Sequence, residues 1–122
     1  MPLVQIDLDR TLMEQKRELI SEKVHQAFVE TLDVPVDDKF QIFRPHDAGE
    51  LIADPQFWGV DRRSMLSIQV TMVHKYDVTS KFRFYHGLAK RLEEIGIRHE
   101  DVFVSILENG FEDWYPGKVR GD

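Results

Sequence analysis

The sequence predicts an α+β domain in which one β-α-β unit is used twice, giving a four-stranded sheet with two helices on one face. Three observations carry this. Segments with period-two apolar alternation flank segments whose apolar residues recur at three- and four-residue steps. The order strand, helix, strand occurs once in each half of the chain. Finally, Leu32-Asp33-Val34 with Asp37-Asp38-Lys39-Phe40 lines up with Ile95-Gly96-Ile97 and Glu100-Asp101-Val102-Phe103 at an offset of 63 residues, and Leu3 falls near Leu66 at the same offset. A chain of 122 residues suffices for a single domain, 1–122, made of two repeats at about 1–60 and 61–122.

Leu3 to Leu8 alternates Val4, Ile6 and Leu8 with Leu3, Gln5 and Asp7 and reads as a strand. Asp9-Arg10 turns the chain, and Thr11 with Glu14 fits a capping box that opens a helix. Met13, Ile20, Val24, Ala27, Phe28, Thr31 and Leu32 form its inner face, and Pro35 ends it by removing an amide donor. Lys39 to Phe43 is the second strand. The stretch from Pro45 to Arg63 is turn-rich, with Glu50 to Ala53 as a short strand candidate. Leu66 to Val73 is the third strand. Thr79 or Ser80 caps a second helix with Phe82, Tyr85, Leu88, Ala89, Leu92 and Ile95 inward and Gly96 at its end. Val102 to Leu107 is the last strand, and Asn109-Gly110 and Pro116-Gly117 mark turns. Helices on one face leave the other face of the sheet partly apolar, so a trimer or higher ring is the expected assembly.

With 16 Lys and Arg against 22 Asp and Glu, the net charge of -6 provides no general attraction for phosphate backbones, and no nucleic-acid partner is expected. The absence of cysteine excludes disulfides, thiol nucleophiles and Cys-ligated metal, and leaves oxygen and nitrogen chemistry. No apolar run reaches a membrane span and the amino terminus lacks signal-peptide features, so no membrane association and a cytoplasmic location are expected. His25, His46, His74, His86 and His99 show no ligand spacing, so no metal is expected.

Met1-Pro2 is the most specific chemical feature. Removal of an initiator methionine ahead of proline frees a rigid secondary amine at the tip of a strand. Partial desolvation suits such an amine to act as a base near neutral pH, and neighbouring carboxylates suit it to act as a cationic acid. Pro2 also fits as an ordinary strand-leading residue, and the dipeptide alone leaves both roles open.

Pro2-Leu3-Val4-Gln5-Ile6, Arg10, Glu14-Gln15-Lys16, Leu19-Ile20, Val24, Ala27, Leu32 and Pro35 resemble the first half of the tautomerase superfamily typified by 4-oxalocrotonate tautomerase. Asp38, Gln41-Ile42, the stretch from Asp47 to Ile52, Arg62, Lys81, Asp101-Val102-Phe103, Ile106, Glu108-Asn109, Asp113-Trp114 and Gly117 are similar to its malonate semialdehyde decarboxylase subgroup. The resemblance implies a tautomerase (MIF-like) homotrimer, no cofactor, and catalysis by Pro2 with Asp38 as the matching aspartate. The substrate implied is a small anionic oxo acid. Asp37-Asp38 also fits a solvated acidic turn before a strand.

Where decarboxylase relatives place arginines after the third strand, this chain has His74-Lys75-Tyr76. Lys75 supplies charge without a bidentate fork, which leaves carboxylate geometry looser. The substrate-binding candidates are therefore Arg10, Arg62, His74, Lys75 and Tyr76, with Trp114 as a wall. Arg63 is a further basic candidate. The expected activity is keto-enol tautomerisation or isomerisation, which tolerates loss of loop arginines. The alternatives are a decarboxylase or hydratase-like lyase, and a non-catalytic oligomeric module that kept the scaffold.

Overall fold

In a computed structural model describing residues 1–119 and 121, four strands and two helices follow the predicted order. β1 spans Leu3–Asp9, α1 Arg10–Leu32, β2 Phe40–His46, β3 Leu66–Val73, α2 Val78–Glu93 and β4 Val102–Asn109. The sheet order is β2-β1-β3-β4. β1 and β2 are parallel, as are β3 and β4, while β1 and β3 pair antiparallel at the centre. Each parallel pair is bridged by its helix, so two β-α-β units meet head to tail. This central antiparallel pairing brings the start of β1 beside the ends of β3 and β4.

Even-numbered residues of β1 and β3 face the helices and are buried: Val4, Ile6, Leu8, Leu66, Ile68, Val70 and Met72. α1 packs Ile20, Val24, Ala27, Phe28 and Leu32 onto them, and α2 packs Phe84, Leu88 and Leu92. Phe28 and Phe84 meet with ring centroids 4.5 Å apart and join the two helices at the core. The opposite face is covered by neither helix. Its rows are Phe40, Leu3, Thr71, Leu107; Ile42, Gln5, Gln69, Ser105; and Arg44, Asp7, Ser67, Phe103.

Several local expectations are corrected. α1 is capped by Asp9, whose carboxylate accepts from the Thr11 amide at 3.0 Å, so the helix begins before the Thr11 box. α2 is capped by Asp77 through the Ser80 amide at 2.8 Å, not by Thr79 or Ser80. Phe82 is exposed, because the buried stripe runs through Phe84, Leu88 and Leu92 at strict four-residue steps. Glu50 to Ala53 forms no strand: the Glu50 amide bonds to the Asp47 carbonyl in a turn, and the segment has no sheet partner. β2 and β4 each run further than predicted, to His46 and Asn109.

Gly96 takes the left-handed angle expected of a helix terminator, with φ 85°, and lets the Ile97 amide return to the Leu92 carbonyl. Asp101 is a buried carboxylate that accepts from the Arg63 and Ser64 amides at 2.7 and 3.0 Å. It fixes the chain as it enters β3.

Candidate active site

The amino terminus, the end of β3 and the tail after β4 converge because of the central antiparallel pairing. There, a cleft of about 20 Å³ is lined by Met1, Pro2, Phe28, Val34, Met72, Val73, Lys75, Tyr76 and Phe111. Pro2 itself is buried. The lining is mostly apolar, and among the described residues its one formal side-chain cation is Lys75. The Lys75 ammonium lies 5.2 Å from the centre of the Tyr76 ring, which stations both side chains at the rim.

Asp38 reaches the same place from the turn before β2. Its Oδ2 lies 3.3 Å from the Met1 amino nitrogen, and the turn is closed by the Asp38 amide on the Pro35 carbonyl at 3.0 Å. The other oxygen, Oδ1, is buried with no hydrogen-bond partner among the described residues. A buried acceptor left open is costly unless a donor can reach it. The carboxylate therefore presents one oxygen to the terminal amine and holds one in reserve.

Of the sequence candidates, the structure brings together Pro2, Asp38, Lys75 and Tyr76. His74 lies next to them, but its Nδ1 is 2.7 Å from Glu108 Oε2. Trp114 donates its indole N–H to Asn109 Oδ1 at 2.8 Å and so anchors the tail that carries Phe111. Arg10 and Arg62 are not in this group within one protomer. Arg10 follows the far end of β1, roughly 20 Å away at about 3.3 Å per strand residue, and donates to Asp47 at 2.7 Å. Arg62 precedes β3, donates to the Phe57 carbonyl at 2.7 Å, and packs over Phe103. Arg63 sits beside it, paired with Asp61.

Sequence reasoning missed Phe111 and the role of Glu108. The signal for Phe111 was present, as an aromatic directly after the Asn109-Gly110 turn. Glu108 entered only through the Glu108-Asn109 pair of the resemblance, and its contacts to His74 and Lys81 arise only when the chain folds. Among the described residues, no group of three or more His, Asp and Glu is placed to hold a metal ion.

Such an arrangement can hold a titratable amine in a mostly apolar cleft, place a carboxylate against it, and offer one cation and one hydroxyl at the entrance. Comparison with known proteins gives the same direction. A family model described as "Tautomerase enzyme" matches residues 38–115, and a second with the same description matches residues 2–59. "Probable tautomerase YusQ" of Bacillus subtilis (strain 168) is 34% identical over 122 residues, covering 98% of this chain and 96% of its own. The crystal structure of FG41 malonate semialdehyde decarboxylase inhibited by 3-bromopropiolate superposes with a TM-score of 0.89 at 34% identity, over 94% of this chain and 88% of that one. A second malonate semialdehyde decarboxylase, studied for its decarboxylase and hydratase activities, gives 0.89 at 28% identity over 97% and 92% of the two chains. A fused 4-OT symmetric trimer shares the fold, with a TM-score of 0.79 at 14% identity over 96% and 94%.

Proposed function

The chain belongs to the tautomerase family, and from that premise we propose that it is a cofactor-free enzyme whose Pro2 amine, freed by removal of Met1, transfers a proton on a small 2-oxo acid. The observation that carries the reading is the meeting of the amino terminus, Asp38 and Lys75 around one mostly apolar cleft. Pro2 takes a proton from carbon or delivers one to it. Asp38, whose Oδ2 lies 3.3 Å from the Met1 nitrogen one residue further out, is the carboxylate assigned to stabilise the cationic form of the Pro2 amine once Met1 is removed. Lys75 attracts the substrate carboxylate, and the Tyr76 hydroxyl offers a hydrogen bond at the rim. Phe28, Val34 and Phe111 exclude water from the reacting carbon.

Arg10 and Arg62 serve this site only if a neighbouring copy brings them to it, since within a protomer they lie at the far end of the sheet. A homotrimer is part of the proposal. It is supported by the uncovered sheet face and by the symmetric trimer formed by a relative of the same fold.

The similarity to two malonate semialdehyde decarboxylases supports a second reading, a decarboxylase or hydratase-like lyase. Against it stands the segment His74-Lys75-Tyr76, which offers no bidentate guanidinium for the departing carboxylate.

The deciding experiment incubates the processed protein and its Pro2→Ala variant with phenylenolpyruvate, 2-hydroxymuconate and malonate semialdehyde. A Pro2-dependent rate on the enol acids is expected. Carbon dioxide release from malonate semialdehyde as the faster reaction would establish the lyase reading instead. Equal rates for both proteins would leave a non-catalytic module.

A further inference from the structure

The segment from His74 to Asp77 carries Lys75 and Tyr76 but belongs to neither β3 nor α2. Short connecting segments are ordinarily the mobile parts of a fold, and a carboxylate-binding cation on one needs external bracing. Here the bracing comes from one dipeptide at the end of β4. Glu108 points to the helix side of the sheet. Its Oε2 meets His74 Nδ1 at 2.7 Å, and its Oε1 accepts from Lys81 Nζ at 2.7 Å, in the first turn of α2. One carboxylate therefore joins the residue before Lys75 to the helix that begins after Tyr76.

Asn109 completes the clamp from the other side. Its carbonyl accepts the His74 amide at 2.8 Å, and its side chain takes the Trp114 indole. Lys81 and Glu108 are only 20% and 22% exposed, so their pairing is shielded more than a surface ion pair. The hydrogen bond from Lys81, then that from His74, outweighs partial burial and holds Glu108 below the ordinary glutamate value of 4.5.

We propose that Glu108 is a positioning residue for the anion-binding segment, holding Lys75 and Tyr76 at the rim of the Pro2 cleft through His74 and Lys81. The proposal rests on the Pro2 reading for its functional consequence, though the brace itself does not. It also gives His74 a role other than substrate contact: its Nδ1 is engaged by the brace, which leaves Lys75 as the cation this segment offers to the substrate carboxylate.

The test uses Glu108→Gln, which keeps the shape, with Glu108→Ala as a second variant. Amide hydrogen exchange at His74 is expected to accelerate about tenfold or more in the variants. With phenylenolpyruvate as the probe, KM should rise by roughly five- to tenfold while kcat stays within about twofold. In a Lys75→Ala background the same Glu108→Gln change should add less than about twofold to KM, because the residue it positions is gone.

Unaltered exchange at His74 in both variants would overturn the brace whatever the activity. An equal KM penalty with and without Lys75 would overturn the idea that Glu108 acts through it. Accelerated exchange in a protein with no Pro2-dependent turnover would support the brace and count against the catalytic reading, so the two fail separately.

Discussion

The amino nitrogen of Met1 lies 3.3 Å from Oδ2 of Asp38, while Oδ1 of the same carboxylate is buried and has no partner among the described residues. With Met1 in place, the terminal charge sits at the mouth of the cleft and Met1 is part of its lining. Pro2 is then an amide, without a proton to give or a lone pair to accept one. Removal of Met1 moves the terminal amine inward by one residue, about 3.8 Å between α-carbons, and makes it the proline nitrogen. Protein that retains Met1, identified by intact mass, should show less than about one hundredth of the activity of processed protein. Equal specific activity in the two forms would end the proline mechanism.

Asp38 is expected to matter for rate more than for folding. It sits at a turn, is partly exposed, and among the described residues its one ion-pair partner is the terminal amine. Asp38→Asn preserves size and removes the charge, so kcat should fall by about 10²-fold while the circular dichroism spectrum and thermal midpoint stay close to wild type. A variant that keeps its kcat would reduce Asp38 to the solvated turn residue that its sequence context also allows.

The topology of each half was legible because strand alternation and helical spacing are local signals, and the match of Leu32-Asp33-Val34 and Asp37-Asp38 to Ile95-Gly96-Ile97 and Glu100-Asp101 pointed to the duplication. How the halves meet was not. Antiparallel pairing of β1 with β3 is a contact between residues such as Gln5 and Gln69, and nothing in either strand alone specifies it. That pairing separates the basic candidates, placing Lys75 beside Pro2 and sending Arg10 and Arg62 to the other end. Cap choice was missed for a smaller reason. Thr79 and Ser80 are good caps in sequence, but the Asp77 carboxylate takes the Ser80 amide at 2.8 Å and starts the helix earlier.

Asp7 makes a prediction about acid stability. Its partial burial raises its pKa, but hydrogen bonds from Arg44 and His46 outweigh that and hold the carboxyl below its ordinary value of 3.8. The Arg44 contact is bidentate, at 3.0 and 2.9 Å, and His46 Nε2 lies 2.7 Å from Oδ1. A carboxyl depressed in the folded state adds stability that is present above its unfolded value and lost as pH falls through the folded one. Asp7→Asn should therefore destabilise by roughly 1–2 kcal/mol at neutral pH, with the gap to wild type closing as pH drops below 3.8. Urea unfolding at pH 7 and pH 3 checks this, and a gap that persists unchanged in acid would show that the ion pair is not its source.

The sheet face away from the helices makes the last prediction. Its outer strands expose Phe40 and Ile42 at one edge and Phe103 and Leu107 at the other, each between 43% and 52% accessible. The row Arg44, Asp7, Ser67 and Phe103 is already neutralised, since Arg44 pairs with Asp7 across β1 and β2. A face that is apolar at both edges and internally compensated in charge can be buried against copies of itself without leaving an unpaired ion. Leu107→Glu would put an unpaired carboxylate into that contact, on the strand edge that carries Phe103. In analytical ultracentrifugation, wild type should sediment at three times the 14.4 kDa chain mass, and Leu107→Glu should shift toward one chain at micromolar concentration. A wild type that stays monomeric would refute the assembly; a variant that stays trimeric would place the contact elsewhere, on a surface that does not include β4.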